Sequence, residues 1–488
     1  MLARRWPLWA AAVLAVAGLA LRFAATGPLW LDEALSVSIA SLPLSEVTDA
    51  LRHDGSPPLY YLLLHGWVAV FGGGAWAARA LSGVIAVATV PAAYAFARAL
   101  SGSRRVALVA ALLVATSPFA ARYGSEARMY ALAQLLVALA GWALVRLLRR
   151  PSPGAFAAVA ACSGLLALTH YWSLYLLACV FALLAARRRW YAAAAVAAGG
   201  VLFLPWLPSF RYQLAHTGTP WAPRPQLSAL VEAVFEWAGV GTPSRFLGLA
   251  LLLLALLAVF GRGVDATRIE LDLRGNVTAR RLAGIVFGTL LLGVLLGLLL
   301  GTGYAARYSA VVLVPFLVLA AMGTETFVSP RVRTGVVAFV ALVGVAGAVP
   351  AVLTPRTQAG AVAAALRARA APGDLVVYCP DQLGPAVSRL VPPGLEQRVF
   401  PTGGPPERVD WVDYAERNKA GDPVAFARSA AAADRTVWLV VAAGYRTYGD
   451  RCDLLAETLR RVRPDNEVVV RSRGRYKPER ASLVRFGP

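Results

Sequence analysis

Acidic side chains are scarce over most of this sequence. The first 350 positions hold twelve: Asp32, Glu33, Glu46, Asp49, Asp54, Glu126, Glu232, Glu236, Asp265, Glu270, Asp272 and Glu325. Charged residues of both signs make up 15% of the 488, against roughly a quarter in soluble globular chains. That shortage excludes an evenly solvated surface. Cysteine is sparse too: Cys162, Cys179, Cys379 and Cys452 form no CxxC pair and have no metal-ligand spacing. Absent as well are an ordered Ser/His/Asp set, an HExxH helix and a phosphate-binding loop. The chain has no internal repeat, and no low-complexity linker beyond an Ala/Leu bias.

What fills the space is apolar. Hydrophobic residues are 58% of the chain, in runs of about 18 to 25 bounded by arginine, the length a helix needs to cross roughly 30 Å of hydrocarbon. Met1 to Ala25 reads as an uncleaved first helix, because the run is long and no small-residue cleavage site precedes Asp32. Further spans are expected near 77–98, 106–120, 126–147, 154–171, 173–187, 190–208, 246–261, 282–301, 309–328 and 334–353, making about eleven in all. The stretch 57–71 is apolar but too short to cross, so it is expected along the interface or re-entrant.

The net charge of +21 belongs to this topology and not to a nucleic-acid partner, since the arginines flank apolar runs instead of forming a patch with interleaved aromatics. They gather at alternate junctions: Arg4 and Arg5; Arg98, Arg104 and Arg105; Arg146, Arg149 and Arg150; Arg187 to Arg189; Arg262 to Arg281; Arg331 and Arg333. By the positive-inside rule these ends are cytoplasmic. An odd number of spans then puts the N-terminus inside and the C-terminus outside, across the plasma membrane.

From about Thr354 the composition changes. Short β-rich runs at 375–379, 437–441, 467–470 and 483–486 alternate with Ala/Arg-rich helical stretches, predicting a soluble extracytoplasmic α/β domain over 354–488 behind a transmembrane domain of 1–353. Two of its strings resemble a Rossmann-like sheet edge but lack GxGxxG, so nucleotide binding is not inferred. Cys379 and Cys452 would meet an oxidising compartment there, as a disulfide or as two free thiols.

Three polar clusters fall at outer junctions. The first outer loop, about 26–76, carries Asp32 and Glu33 directly after the first span; carboxylates there lose solvation and become better proton acceptors, although helix capping is the alternative. The second cluster holds Arg122, Tyr123, Glu126, Arg128 and Tyr130. Arginine is disfavoured on this side, so Arg122 and Arg128 are either anion ligands or partners of Glu126. Third come Arg307 and Tyr308, Arg307 being able to hold a phosphate in a fork. His170 ends a span on the same side and can donate a hydrogen bond to a ligand. This inventory, isolated carboxylates with arginines, suits sugar transfer from a lipid phosphate: it needs one base for the acceptor hydroxyl, and cations help the phosphate depart.

The strings LDEALS, HDGSPPLYYLLLHGW, RALS, SPFAARYGSEARMYAL and ARYSAVVLVPFLVLA, in this order over about positions 1–330, resemble the GT-C superfamily of membrane glycosyltransferases, in particular the glycosyltransferase 39 and protein-mannosyltransferase-like group. The resemblance implies a GT-C-like polytopic helical fold that passes a sugar, mannose or a similar hexose or pentose, from a polyprenyl-phosphate donor to a glycan, lipid or protein acceptor. It implies Asp32 as general base with Glu33 as its neighbour or alternative, Arg122, Arg128 and Arg307 at the lipid phosphate, and Tyr123, Glu126 and Tyr130 around the sugar. Where relatives carry a short Asp/His-Pro stretch, this chain reads His53-Asp54-Gly-Ser-Pro57-Pro58, so His53 and Asp54 are also expected to line the site. No cofactor is expected, although Asp32, Glu33 and Asp54 can in principle share a divalent ion. The competing classes are a transporter or lipid flippase, and a lipid-linked glycan polymerase or ligase. Ion-coupled transport is disfavoured because no acidic residue occurs between Ala127 and Val231.

Overall fold

A computed structural model describes residues 6–239, 241–474 and 479–488. In hydrocarbon every backbone N–H and C=O must be satisfied within its own segment, and among the described residues helix occupies most of each of the eleven expected spans. The first helices are α1 (Trp6–Leu21), α2 (Leu31–Ala40), α3 (Leu44–Asp54), α4 (Leu59–Phe71), α5 (Ala75–Ser101), α6 (Arg104–Thr116), α7 (Pro118–Gly124), α8 (Tyr130–Arg149), α9 (Pro153–Ala167) and α10 (Trp172–Ala186).

The expected count needs correcting. Among the described residues, seven helices are long and apolar enough to cross: α5, α8, Trp190–His216, Pro243–Phe260, Val277–Leu300, Ala306–Thr326 and Pro330–Leu353. An eighth span arises if α6 and α7 count together, bent by 56° where Ser117 caps α7 and Pro118 occupies its first turn. Both α9 and α10 have 15 residues, about 22 Å at 1.5 Å per residue, short of the full hydrocarbon thickness. As expected, α4 is too short to cross; it buries Tyr60, Tyr61 and Leu64 and exposes Leu62, Leu63, Val70 and Phe71.

At the centre of the bundle, Ala310 to Gly323 are all buried, as a helix apolar on every side requires. The segment packs against α6, α8 and the 243–260 helix. A small hairpin of β1 (Gly261–Gly263) and β2 (Ile269–Leu271) joins two spans.

The C-terminal region is built on β3 (Leu375–Cys379), β4 (Glu396–Val399), β5 (Val437–Val441), β6 (Asn466–Val470) and β7 (Ser482–Phe486), in the order β4-β3-β5-β7-β6. β3 runs parallel to β4 and β5, while β7 is antiparallel to β5 and β6. The two strands expected at an edge are therefore interior. Period-two alternation sends Val376, Tyr378, Trp438 and Val440 to one face and Leu375, Val377, Val437 and Leu439 to the other. Helices cover both faces, so β3 reads as a continuous apolar run. Cys379 and Cys452 are disulfide-bonded.

The second face does not end at its own helices. Trp30, Leu31 and Leu35 of the first outer loop belong to the same buried cluster as Leu375, Phe400 and Trp411. Ala34 and Val37, on the other side of α2, join the membrane-helix core. The helix that carries Asp32 and Glu33 is thus wedged between the two halves of the protein.

Candidate active site

Successive residues on an α-helix point about 100° apart, and this separates the two adjacent acids of α2. Glu33 is fully buried behind the helix. Arg79 of α5 grips it as a fork, Nε to Oε1 at 2.7 Å and Nη2 to Oε2 at 2.6 Å, and the Ala127 amide donates to Oε1 at 3.1 Å. The same guanidinium donates to the carbonyls of Gly27 and Pro28 at 2.6 and 2.9 Å, pinning the approach to α2. Burial alone would push Glu33 up, but the Arg79 fork, the nearby Arg356 and the Ala127 amide hold it below the usual carboxylate range.

Asp32 faces the other way, into a cavity of ≈ 1130 Å³ between the membrane helices and the C-terminal region. Its Oδ2 is buried without a hydrogen bond and lies 3.5 Å from Arg307 Nη2. Arg307 stacks over Trp221 at 4.6 Å from the ring centre, and its Nε–H makes no hydrogen bond. From the opposite wall, Arg128 donates to Tyr61 Oη at 2.9 Å and Ser36 Oγ at 3.1 Å; Tyr61 in turn donates to Asp54 at 2.9 Å. The His170 ring lies between Tyr130 and Tyr308, 5.7 and 5.5 Å from their centres. Its Nδ1 accepts the Trp172 amide at 3.2 Å, which leaves the proton of the neutral ring on Nε2.

One side of this polar pocket becomes an apolar lane lined by Leu174, Tyr175, Phe210, Leu214, Leu296 and Leu300. Leu214 and Leu300 are more than half exposed on the membrane helices. The lane thus runs from the lipid-facing surface to two guanidiniums. The roof comes from the C-terminal region, including Gln382, Trp411, Tyr445, Arg446 and Glu479.

The whole chain aligns with the crystal structure of ArnT from Cupriavidus metallidurans in the apo state: TM-score 0.65, 16% identity, 100% of each chain covered. With ArnT of the same organism bound to undecaprenyl phosphate the TM-score is 0.63 at 15% identity, covering 99% of each chain. The fold is GT-C. A third likeness is to the arabinofuranosyltransferase AftD from Mycobacteria, with a TM-score of 0.53 at 17% identity over 99% of this chain and 40% of that one. Residues 55–210 match the family model of the dolichyl-phosphate-mannose-protein mannosyltransferases. No curated protein is matched.

Within this ArnT-like fold the expected site residues divide. Asp32, Asp54, Arg128, Tyr130, His170, Arg307 and Tyr308 line the cavity together; Glu33, His53, Arg122, Tyr123 and Glu126 do not. Glu126 is buried, 3.5 Å from Arg356 Nη1, in the polar group behind α2 that includes Glu33. Arg122 donates weakly to the Ala351 carbonyl at 3.4 Å, and Tyr123 packs on Tyr130 with ring centres 4.8 Å apart. His53 faces Asp410 of the C-terminal region at 3.0 Å. No group of three or more metal-binding side chains gathers among the described residues.

Sequence reasoning passed over Arg79, Arg356 and Glu479. Arg79 carried one signal, a cation just inside an apolar run. The other two carried none, since their partners are hundreds of positions away.

Proposed function

We propose that this protein is a membrane glycosyltransferase that passes a sugar from a polyprenyl-phosphate donor to an acceptor hydroxyl, with Asp32 as the general base. The observation that carries this reading is the Asp32 carboxylate, its Oδ2 without a hydrogen bond among the described residues and 3.5 Å from Arg307, at the polar end of a lane open to the lipid-facing surface. The likeness to ArnT bound to undecaprenyl phosphate supports a polyprenyl-phosphate ligand in that lane.

Asp32 takes the acceptor proton as the acceptor oxygen attacks the anomeric carbon. The bond from that carbon to the phosphate oxygen breaks, and the polyprenyl phosphate leaves as an anion held by Arg307 and Arg128. Tyr130, Tyr308, His170 and Asp54 surround the sugar. Glu33 keeps α2 in place, and Glu126, Arg122, Tyr123 and His53 brace the walls. Residues 1–353 form the membrane domain and 354–488 the outer domain. The alternating arginines support an N-terminus inside and this domain outside the plasma membrane.

The test is a screen of purified protein in lipid with radiolabelled polyprenyl-phosphate sugars and candidate acceptors. Donor-dependent appearance of labelled acceptor supports the reading. Movement of the lipid across the bilayer without any transfer would replace it with a flippase.

A further inference from the structure

Glu479 belongs to the C-terminal region, 448 positions from the residue it binds: its Oε2 accepts the Leu31 amide at 2.7 Å. Leu31 opens α2, and its N–H is one of the four that a helix leaves without an internal partner. The next residue is Asp32.

The backbone of Glu479 is itself fixed. Its amide donates to the Arg356 carbonyl at 3.0 Å and its carbonyl accepts the Gln358 amide at 3.1 Å, so it is stitched to the chain leaving the last membrane helix. Arg356 meanwhile reaches Glu33 and Glu126, each at 3.5 Å.

The second oxygen of Glu479 is not consumed. The residue is 3% exposed and lines the cavity with the Thr357 hydroxyl close by, and among the described residues Oε1 has no hydrogen-bond partner of ordinary geometry. A buried polar atom left unmade is costly, and this one belongs to a group that shares the cavity with Asp32. Burial raises the carboxyl to about 8, so near neutral pH Oε1 carries a proton and can donate as well as accept.

We propose that Glu479 is a positioning residue for the transfer: one carboxyl oxygen sets the turn that carries Asp32, and the other holds a hydroxyl of the acceptor beside it. This rests on the reading of Asp32 as base given above. It assigns the C-terminal region a direct part in the reaction centre, so acceptor and base are aligned by residues from both halves of the chain.

The experiment uses the full chain in lipid with Glu479→Ala, Glu479→Gln and Asp32→Asn. Glu479→Ala is expected to lower turnover by about 100-fold, the cost of misplacing a reacting group by an ångström, and to raise the acceptor KM with donor binding unchanged. Glu479→Gln has an amide oxygen for Leu31 and an N–H for the cavity, and is expected to recover most of the turnover. Amide exchange of the segment around Leu31 should quicken in Glu479→Ala and not in Glu479→Gln. Wild-type turnover and exchange in Glu479→Ala, or a loss that Glu479→Gln does not recover, would overturn the proposal. Full transfer by Asp32→Asn would instead remove the base assignment, and the exchange result would still decide whether Glu479 fixes α2.

Discussion

Replacing Arg79 by methionine takes away two short charge-assisted hydrogen bonds from Glu33 and the donors that tie the carbonyls of Gly27 and Pro28. Glu33 is fully buried, and what remains to it is the Ala127 amide at 3.1 Å, the Trp30 amide at 3.4 Å and Arg356 at 3.5 Å. Breaking a buried pair from one side costs about 3–5 kcal/mol, because the surviving charge stays desolvated. Arg356 offsets part of that, which places Arg79→Met near the lower end, about 3 kcal/mol. Adding Glu33→Gln removes the stranded charge, so the double variant should be more stable than Arg79→Met alone. The assay is thermal unfolding of purified protein in detergent, followed by size-exclusion chromatography. A fall in melting temperature for Arg79→Met that Glu33→Gln partly reverses is expected. Arg79→Met melting with wild type would refute the reasoning, as would a double variant whose losses simply add.

Other outcomes follow from the same geometry. Arg307→Ala should weaken binding of polyprenyl phosphate by about tenfold or more, since one charge-assisted contact contributes about 1.5–3 kcal/mol, while Arg331→Ala, on a remote junction, should leave it unchanged; titration calorimetry reads the difference. Two acids of the C-terminal region are raised mainly by burial, Asp381 from 3.8 to about 6 and Glu479 from 4.5 to about 8. The folded state then holds more protons than the unfolded one, so stability should decline as pH rises from about 4 to 8, and Glu479→Gln should flatten the upper part of a melting curve series between pH 6 and 9. Replacing Cys379 and Cys452 by serine opens a link across 73 positions and should lower stability by about 4 kcal/mol in the chain-entropy view, read as earlier proteolysis of the C-terminal region.

Much of this architecture is legible in the sequence because it is written locally. Run lengths mark the helices, and short β-rich runs mark β3, β5, β6 and β7. Asp32 is conspicuous as an acid directly after an apolar run, paired with Glu33. β4, reading Glu-Gln-Arg-Val, escapes because an edge strand with three polar residues has no apolar alternation. The bend between α6 and α7 sits at Ser117-Pro118, where a single proline can equally begin a new helix or kink an old one. Short α9 looks like a longer span because Leu168 to Tyr171 follow it without lengthening the helix, and α10 passes for a span on its apolar composition although it has 15 residues. The sorting of Asp32 from Glu33, by contrast, depends on Arg79, 46 positions away, on Arg356, 323 away, and on Glu479 beyond them. No local pattern announces those partners. Only the folded chain reveals which acid is saturated and which is left open to the cavity.

The central claim, that the unsaturated acid is the base, is tested most directly by comparing wild type with Asp32→Asn in lipid, measuring sugar transfer and polyprenyl-phosphate donor binding on the same preparations. The account predicts that Asp32→Asn binds the donor about as tightly as wild type and transfers essentially nothing. Transfer at the wild-type rate by Asp32→Asn would contradict it.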